Sequence, residues 1–287
     1  MNRPDPGPAP AAPAFIDRPL PDVAAWAAAF DQREIPVLAA TEAVLQDLAE
    51  HEDAADAHLL AEVLSPDPLM TLKLLRHLAA LRAGRDQTDA ETATEALVML
   101  GITPFFRAFR GQAVVETRLA GQPQALDGLR RVLQRSHRAA QFALGFAVHR
   151  QDHDAGLIHE AALLHDFAEL LLWAHAPGLA QRIAHLQREQ DGLRSAEAQQ
   201  AVLGITLADL QQALMKAWRL PALLVQIADD HDTALPQVLN VQLAIRFARH
   251  TAQGWDNPAV PDDVDAIANL LTLGNVPTLK LLHQLDS

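Results

Sequence analysis

The chain has 287 residues, 49% of them hydrophobic, which is enough apolar material for one large domain or two small ones. Its 36 acidic and 23 basic residues give a net charge of −13, which on average repels a phosphate backbone and argues against nucleic acid as a partner. Cysteine is absent, so disulfides, thiolate catalysis and Cys-type zinc sites are excluded.

Ala and Leu, two strong helix formers, supply much of the hydrophobic share, and Tyr is absent. This composition predicts an all-α fold. No apolar run reaches the ~18 residues of a membrane helix. The N-terminus lacks the basic start and apolar centre of a signal peptide. We therefore expect a cytoplasmic protein that does not bind membranes.

The first 21 residues are too rich in proline for a helix to run through them. We interpret residues 1–21 as a disordered or loosely tethered arm. Its prolines are Pro4, Pro6, Pro8, Pro10, Pro13, Pro19 and Pro21.

A first helical lobe is predicted over residues 22–125. Pro36 fits the first turn of a helix at 37–50, and apolar faces follow within 59–64, 69–83 and 96–100. A cluster of turn residues at 119–128 is the best internal boundary, with Gly121, Pro123 and Gly128.

The second lobe is predicted over residues 126–287 and begins with a long helix at about 128–150. One further helix is expected at about 157–175, ending before Pro177. Prolines that fit first turns begin several of the later helices. Those helices are predicted near 178–190, 194–203, 206–219, 221–231, 236–253, 261–273 and 277–285.

The densest basic run of the chain lies on the long helix at 128–150. Against a net charge of −13 we interpret it as a solvated helix face. Its members are Arg130, Arg131, Arg135 and Arg138.

His165 and Asp166 lie side by side in an apolar helical segment, which is unusual. A buried carboxylate needs a partner, and the candidates for Asp166 are a divalent metal, a histidine or an arginine. An antiparallel helix pair could bring His137 near both residues. The three side chains would then form part of a hydrolytic metal site, or His137 would simply bond to Asp166 and lock two helices together.

Several ordered motifs resemble those of the HDOD family, a branch of the HD superfamily of metal phosphohydrolases. The segment LLHDFAELLL at 163–172 is similar to the family's GLLHDIGxLLL motif. The resemblance covers about residues 30–285 and implies a two-lobed helical bundle with an HD-like C-terminal lobe. The other matching segments are Ile35, Pro36 and Leu38 (IPxLP), 67–76 (DPxLTxKLLR), 96–101 (AIxxLG), 218–221 (WxLP), and Ile227 with His231 (IxxHH).

Two departures from the metal-binding HD pattern matter for chemistry. Leu207 occupies the place of a histidine in the GxxH-type segment, and Ile245 occupies the place of a later aspartate. Asp230 also replaces the first histidine of IxxHH. Aliphatic side chains donate no lone pair, so any metal would depend on His137, His165 and Asp166 alone. The resemblance therefore implies a vestigial polar cluster of His137, His165, Asp166 and His231, with no catalytic residue and no cofactor.

The resemblance implies a bacterial signal-transduction role. We expect a non-catalytic regulatory module that binds a signalling protein or a small molecule in the groove between the lobes. The alternative is a divergent metal-dependent phosphohydrolase acting on a nucleotide or cyclic dinucleotide.

Overall fold

The computed structural model describes residues 14–52, 55–82, 90–190, 192–229 and 235–286. Within these ranges the chain forms helices and no strand, and one isolated bridge pairs Val37 with Val114. The all-α prediction is confirmed. The helices are α1 (Val23–Asp31), α2 (Ala39–Ala49), α3 (Ala57–Leu64), α4 (Pro68–Arg82), α5 (Ala93–Leu100), α6 (Ile102–Ala108), α7 (Val115–Arg118), α8 (Pro123–Arg150), α9 (Ala155–Leu164), α10 (Phe167–His175), α11 (Pro177–Glu189), α12 (Ser195–Leu203), α13 (Leu207–Ala217), α14 (Ala222–Ile227), α15 (Pro236–His250), α16 (Val260–Leu271) and α17 (Asn275–Leu285).

Residues 14–21 pack against the helical body. The N–H of Ile16 donates to the carbonyl of His175 at 2.8 Å, and the Ile16 side chain is buried. The Arg118 guanidinium lies 5.1 Å from the centre of the Phe15 ring. Two apolar side chains between the prolines, Phe15 and Ile16, thus anchor this end of the segment. The arm predicted over 1–21 stays a prediction. Residues 1–13 lie outside the described residues.

Asp67 joins two of the sequence motifs in the first half of the chain. Its Oδ1 accepts the N–H groups of Leu69 and Met70 at the start of α4, and its Oδ2 accepts the N–H of Leu38 at 2.7 Å. Asp67 is fully buried. Burial raises its pKa, although the hydrogen bonds that it accepts work in the opposite direction. The carboxylate thus holds the segment before α2 against the N-terminus of α4.

The second half of the chain is organised around α8, which is 28 residues long and packs against α9, α10 and α15. Pro123 stands at its first turn, so the helix begins earlier than the predicted residue 128. Gly128 allows close packing within this bundle, since a Cβ there would lie 2.4 Å from the Trp173 ring.

The two halves touch at several places. Helix α4 contacts α9 and α10, and α1 packs against α13 although it belongs to the predicted first lobe. Asp31 at the end of α1 accepts hydrogen bonds from Trp218 Nε1 at 2.9 Å and from Arg76 at 2.8 Å. The division into lobes at 22–125 and 126–287 stays a prediction.

None of the helices in the described ranges combines the length and apolar character needed to cross a membrane.

Candidate functional site

His165 and Asp166 stand between two helices. Helix α9 ends at Leu164 and α10 begins at Phe167, so the prediction of one helix over 157–175 is wrong. Both flanking helices are buried on nearly every face, and the apolar pattern therefore continues across the break without a visible interruption. The break lets Asp166 reach partners on α8 and α15.

Two arginines hold the carboxylate of Asp166. Arg135 on α8 donates from Nε to Oδ2 at 2.8 Å, and Arg249 on α15 donates from Nη2 to Oδ1 at 2.7 Å. The Nδ1 of His165 lies 3.1 Å from the same Oδ1. Arg135 also donates from Nη2 to Glu169 Oε2 at 2.7 Å. Three elements are thus joined through one carboxylate whose side chain is 8% exposed.

The electrostatics of the cluster favour the charged forms of Asp166 and Arg135. Burial acts to raise the pKa of Asp166, but the positive charges of Arg135 and Arg249 and the hydrogen bond from His165 bring that pKa well below its usual value. Burial likewise acts to lower the pKa of Arg135, and the charges of Asp166 and Glu169 raise it on balance. Asp166 and Arg135 therefore form an ion pair at neutral pH, around a carboxylate that is itself buried.

His137 makes a different contact. Its Nε2 lies 2.7 Å from the carbonyl oxygen of Pro66, in the turn before α4. Residues two positions apart on a helix point about 200° apart. Since Arg135 faces Asp166, His137 faces away from it. Of the three members of the predicted vestigial cluster that the structure describes, His165 and Asp166 lie together and His137 lies apart from them. Asp166 is bonded to the two arginines and not to His137.

The remaining member of the predicted cluster, His231, lies outside the described residues. Across the ranges that are described, no three His, Cys, Asp or Glu side chains are grouped so that they could hold a metal ion. The trio His137, His165 and Asp166, proposed as the ligands of any metal, is not assembled.

Arg135 and Arg249 are the site residues that sequence reasoning missed. Arginine is among the candidate partners for Asp166, but the basic run predicts that Arg135 faces solvent, and the structure contradicts this. Arg249 lies one turn after Ile245, which is buried on the same helix. The sequence contained one hint of Arg249, because residues one turn apart on a helix lie on the same face, so an arginine four positions after Ile245 can reach the same region.

A cavity of about 760 Å³ lies beside this network. Helices α10, α11, α12 and α13 form its walls, and Arg135 and Arg249 reach it from α8 and α15. His165, Asp166 and Leu207 also line it. Its volume is typical of a small-molecule site. All of its lining residues fall within 135–253, so this cavity differs from the groove predicted between the lobes.

A family model of the HDOD domain matches residues 35–234, about two thirds of the chain. The chain belongs to the HDOD family. This confirms the resemblance that the ordered motifs indicated. A search of curated proteins finds no match.

Two solved structures share this HDOD fold. The MmoQ response regulator of Methylococcus capsulatus is 20% identical, with a TM-score of 0.64, over 87% of this chain and 98% of its own. A virulence factor of Campylobacter jejuni is 17% identical, with a TM-score of 0.62, over 92% of both chains. At these identities the likeness concerns the fold alone.

Proposed function

We propose that this HDOD chain is a non-catalytic signal-transduction module that acts by binding a protein partner or a small signal. The observation that carries the proposal is the pairing of Asp166 with Arg135 and Arg249. In the HD pattern this aspartate would bind a metal. Here each of its carboxylate oxygens already accepts a charge-assisted hydrogen bond.

A divalent cation at Asp166 would meet two fixed positive charges. Unit charges 4 Å apart interact by roughly 4 kcal/mol at an effective dielectric constant of about 20, and a divalent ion doubles each repulsion. Arg135 is itself held by Glu169, so it cannot turn away without losing a second ion pair. The guanidinium groups supply the charge that a metal would supply, but they activate no water molecule.

The substitutions at Leu207 and Ile245 support the same conclusion. Leu207 lines the cavity beside His165 and Asp166, where an aliphatic side chain donates no lone pair. The Methylococcus capsulatus protein of the same fold is named a response regulator, which agrees with a regulatory role. Because fold likeness supports function only by analogy, the proposal depends mainly on Asp166.

The test is metal content and turnover of protein purified without chelator. We expect less than a tenth of an equivalent of iron, manganese or zinc, on the order expected of an incomplete site. We also expect no hydrolysis of bis(p-nitrophenyl) phosphate with added Mn²⁺ above the rate of the Asp166→Asn variant. One equivalent of metal that Asp166→Asn removes, together with turnover that the same variant abolishes, would overturn the proposal.

A further inference from the structure

The cavity beside Asp166 has an apolar wall and several amide side chains. Helices α10 and α11 contribute the apolar side chains, which include Leu172, Trp173 and Ile183. Five glutamines also line the cavity, and they are Gln187 on α11, Gln199 on α12, Gln211 and Gln212 on α13, and Gln253 after α15. Such a cavity can bury a ring and hydrogen-bond to its edge.

One of these glutamines has an amide that the described residues leave without a partner. Gln211 is 5% exposed, and its amide makes no hydrogen bond to any residue that the structure describes. Gln211 also lines the cavity, where a ligand can reach it. A polar group this far from bulk water costs stability when nothing pairs with it. Gln211 therefore points to a ligand with hydrogen-bonding groups.

The charges around the cavity disfavour an anion. The guanidinium of Arg135 is held by Asp166 and Glu169, and that of Arg249 is held by Asp166. Carboxylates outnumber guanidinium groups in the lining, because Asp209 and Asp229 also belong to it. A phosphate would find little uncommitted positive charge there, whereas an uncharged molecule would meet no electrostatic penalty.

We infer that this cavity binds a small uncharged heterocycle whose edge carries a hydrogen-bond donor beside an acceptor. A carboxamide presents one acceptor and two donors, so the amide of Gln211 can pair with such an edge in a bidentate manner. The apolar wall buries the ring. The inference rests on the proposed function, because it assigns an uncharged ligand to the region where an HD-type enzyme would hold its metal.

Isothermal titration with adenine, hypoxanthine and adenosine 5′-monophosphate tests the inference on the full chain. We expect at least one free base to bind and the monophosphate to bind roughly tenfold more weakly or not at all. We expect Gln211→Leu to weaken binding of the base roughly tenfold without lowering the melting temperature, because the amide that it removes makes no hydrogen bond within the described residues. Gln141→Leu, on the exposed side of α8, is the matched control and should bind as the wild type does.

Three results would overturn the inference: neither base binds at millimolar concentration, the monophosphate binds more tightly than adenine, or Gln211→Leu binds like Gln141→Leu. Chromatography of the same samples separates this inference from the proposed function. Release of phosphate or adenosine from the monophosphate would contradict the non-catalytic role. Absence of base binding would contradict the ligand inference alone.

Discussion

At the scale of the residue, Asp166 is the centre of an ion-pair network. Its two oxygens are shared between arginines from different helices, and His165 supports one of them. The chemical identity of the residue agrees with the HDOD motif. Its partners differ from those that a metal site requires, and the partners determine what the carboxylate does.

Replacement of Asp166 by alanine should destabilise the protein by about 3 kcal/mol, because it removes the carboxylate that Arg135 and Arg249 share and leaves Arg135 with Glu169 alone. Asp127→Ala is a suitable control, since Asp127 forms an exposed pair with Arg130 that contributes roughly 0–1 kcal/mol. Urea denaturation of both variants and the wild type measures the difference. An Asp166→Ala variant as stable as Asp127→Ala would contradict a structural role for the network.

The pH dependence of this effect has a defined sign. The folded-state pKa of Asp166 is depressed, so its stabilisation is present above the ordinary carboxyl value of about 3.9 and is lost as pH falls through the folded-state value. We expect the stability difference between wild type and Asp166→Ala to stay constant from about pH 5 to 8. The difference should shrink only in more acidic solution.

At the scale of the element, Glu160 joins α9 to α5. Its Oε2 accepts the N–H of Ala93 in the first turn of α5 at 2.8 Å, and the side chain is 7% exposed. Burial raises the pKa of Glu160 to about 8, the hydrogen bond from Ala93 opposes this, and the charge of Glu95 adds to it. A neutral carboxyl group therefore caps α5 from another helix at neutral pH.

Glu160→Gln should remove a pH-dependent loss of stability. The folded protein keeps a proton that the unfolded chain releases, so wild-type stability falls between about pH 4.5 and 8 by up to about 1.4 kcal/mol per pH unit. Glutamine keeps the acceptor for the Ala93 N–H and does not titrate. Urea denaturation at pH 5, 6, 7 and 8 measures the free energy of unfolding. That of the variant should rise relative to that of the wild type as the pH increases.

The exposed Glu62→Gln substitution on α3 provides the control, and its free energy of unfolding should depend on pH in the same way as that of the wild type. Parallel curves for Glu160→Gln as well would show that Glu160 is ionised in the folded state, contrary to the expectation.

At the scale of the whole molecule, α1 ties the beginning of the chain to its second half. Helix α1 packs on α13, and Asp31 accepts from both Trp218 and Arg76. The Arg76 guanidinium lies 4.6 Å from the centre of the Trp218 ring. Residues from three distant parts of the sequence meet at this point, so the two halves are not independent in their packing.

Asp31→Ala should weaken the packing of α1 against α13 without unfolding the protein. Asp31 is about half exposed, so we expect a loss on the order of 1 kcal/mol. Hydrogen exchange should become faster in α1 and in residues 14–21, while the amides of α8 keep their protection. Equally accelerated hydrogen exchange in α8 would mean that the contacts of Asp31 stabilise the entire fold and not only the docking of α1.

Much of the architecture could be predicted because it depends on local properties of the chain. Pro177 and Pro236 lie in the first turns of α11 and α15, and the apolar spacing of 128–150 predicts a long helix that the structure contains as α8. Pro36 precedes Leu38, the N-cap of α2, so the helix begins at Ala39 and not at the predicted residue 37. The break at His165 and Asp166 could not be predicted from apolar spacing, since the segments on both sides of it are apolar.

By itself the sequence determined the all-α class and the HDOD family, since these follow from composition and motif order. Only the tertiary structure decided that Asp166 meets Arg135 and Arg249, that His137 faces Pro66, and that a cavity lined by Gln211 adjoins them. The physical reason is that the partner of a buried charge is chosen by helix packing over long sequence separations, which residue spacing alone does not encode.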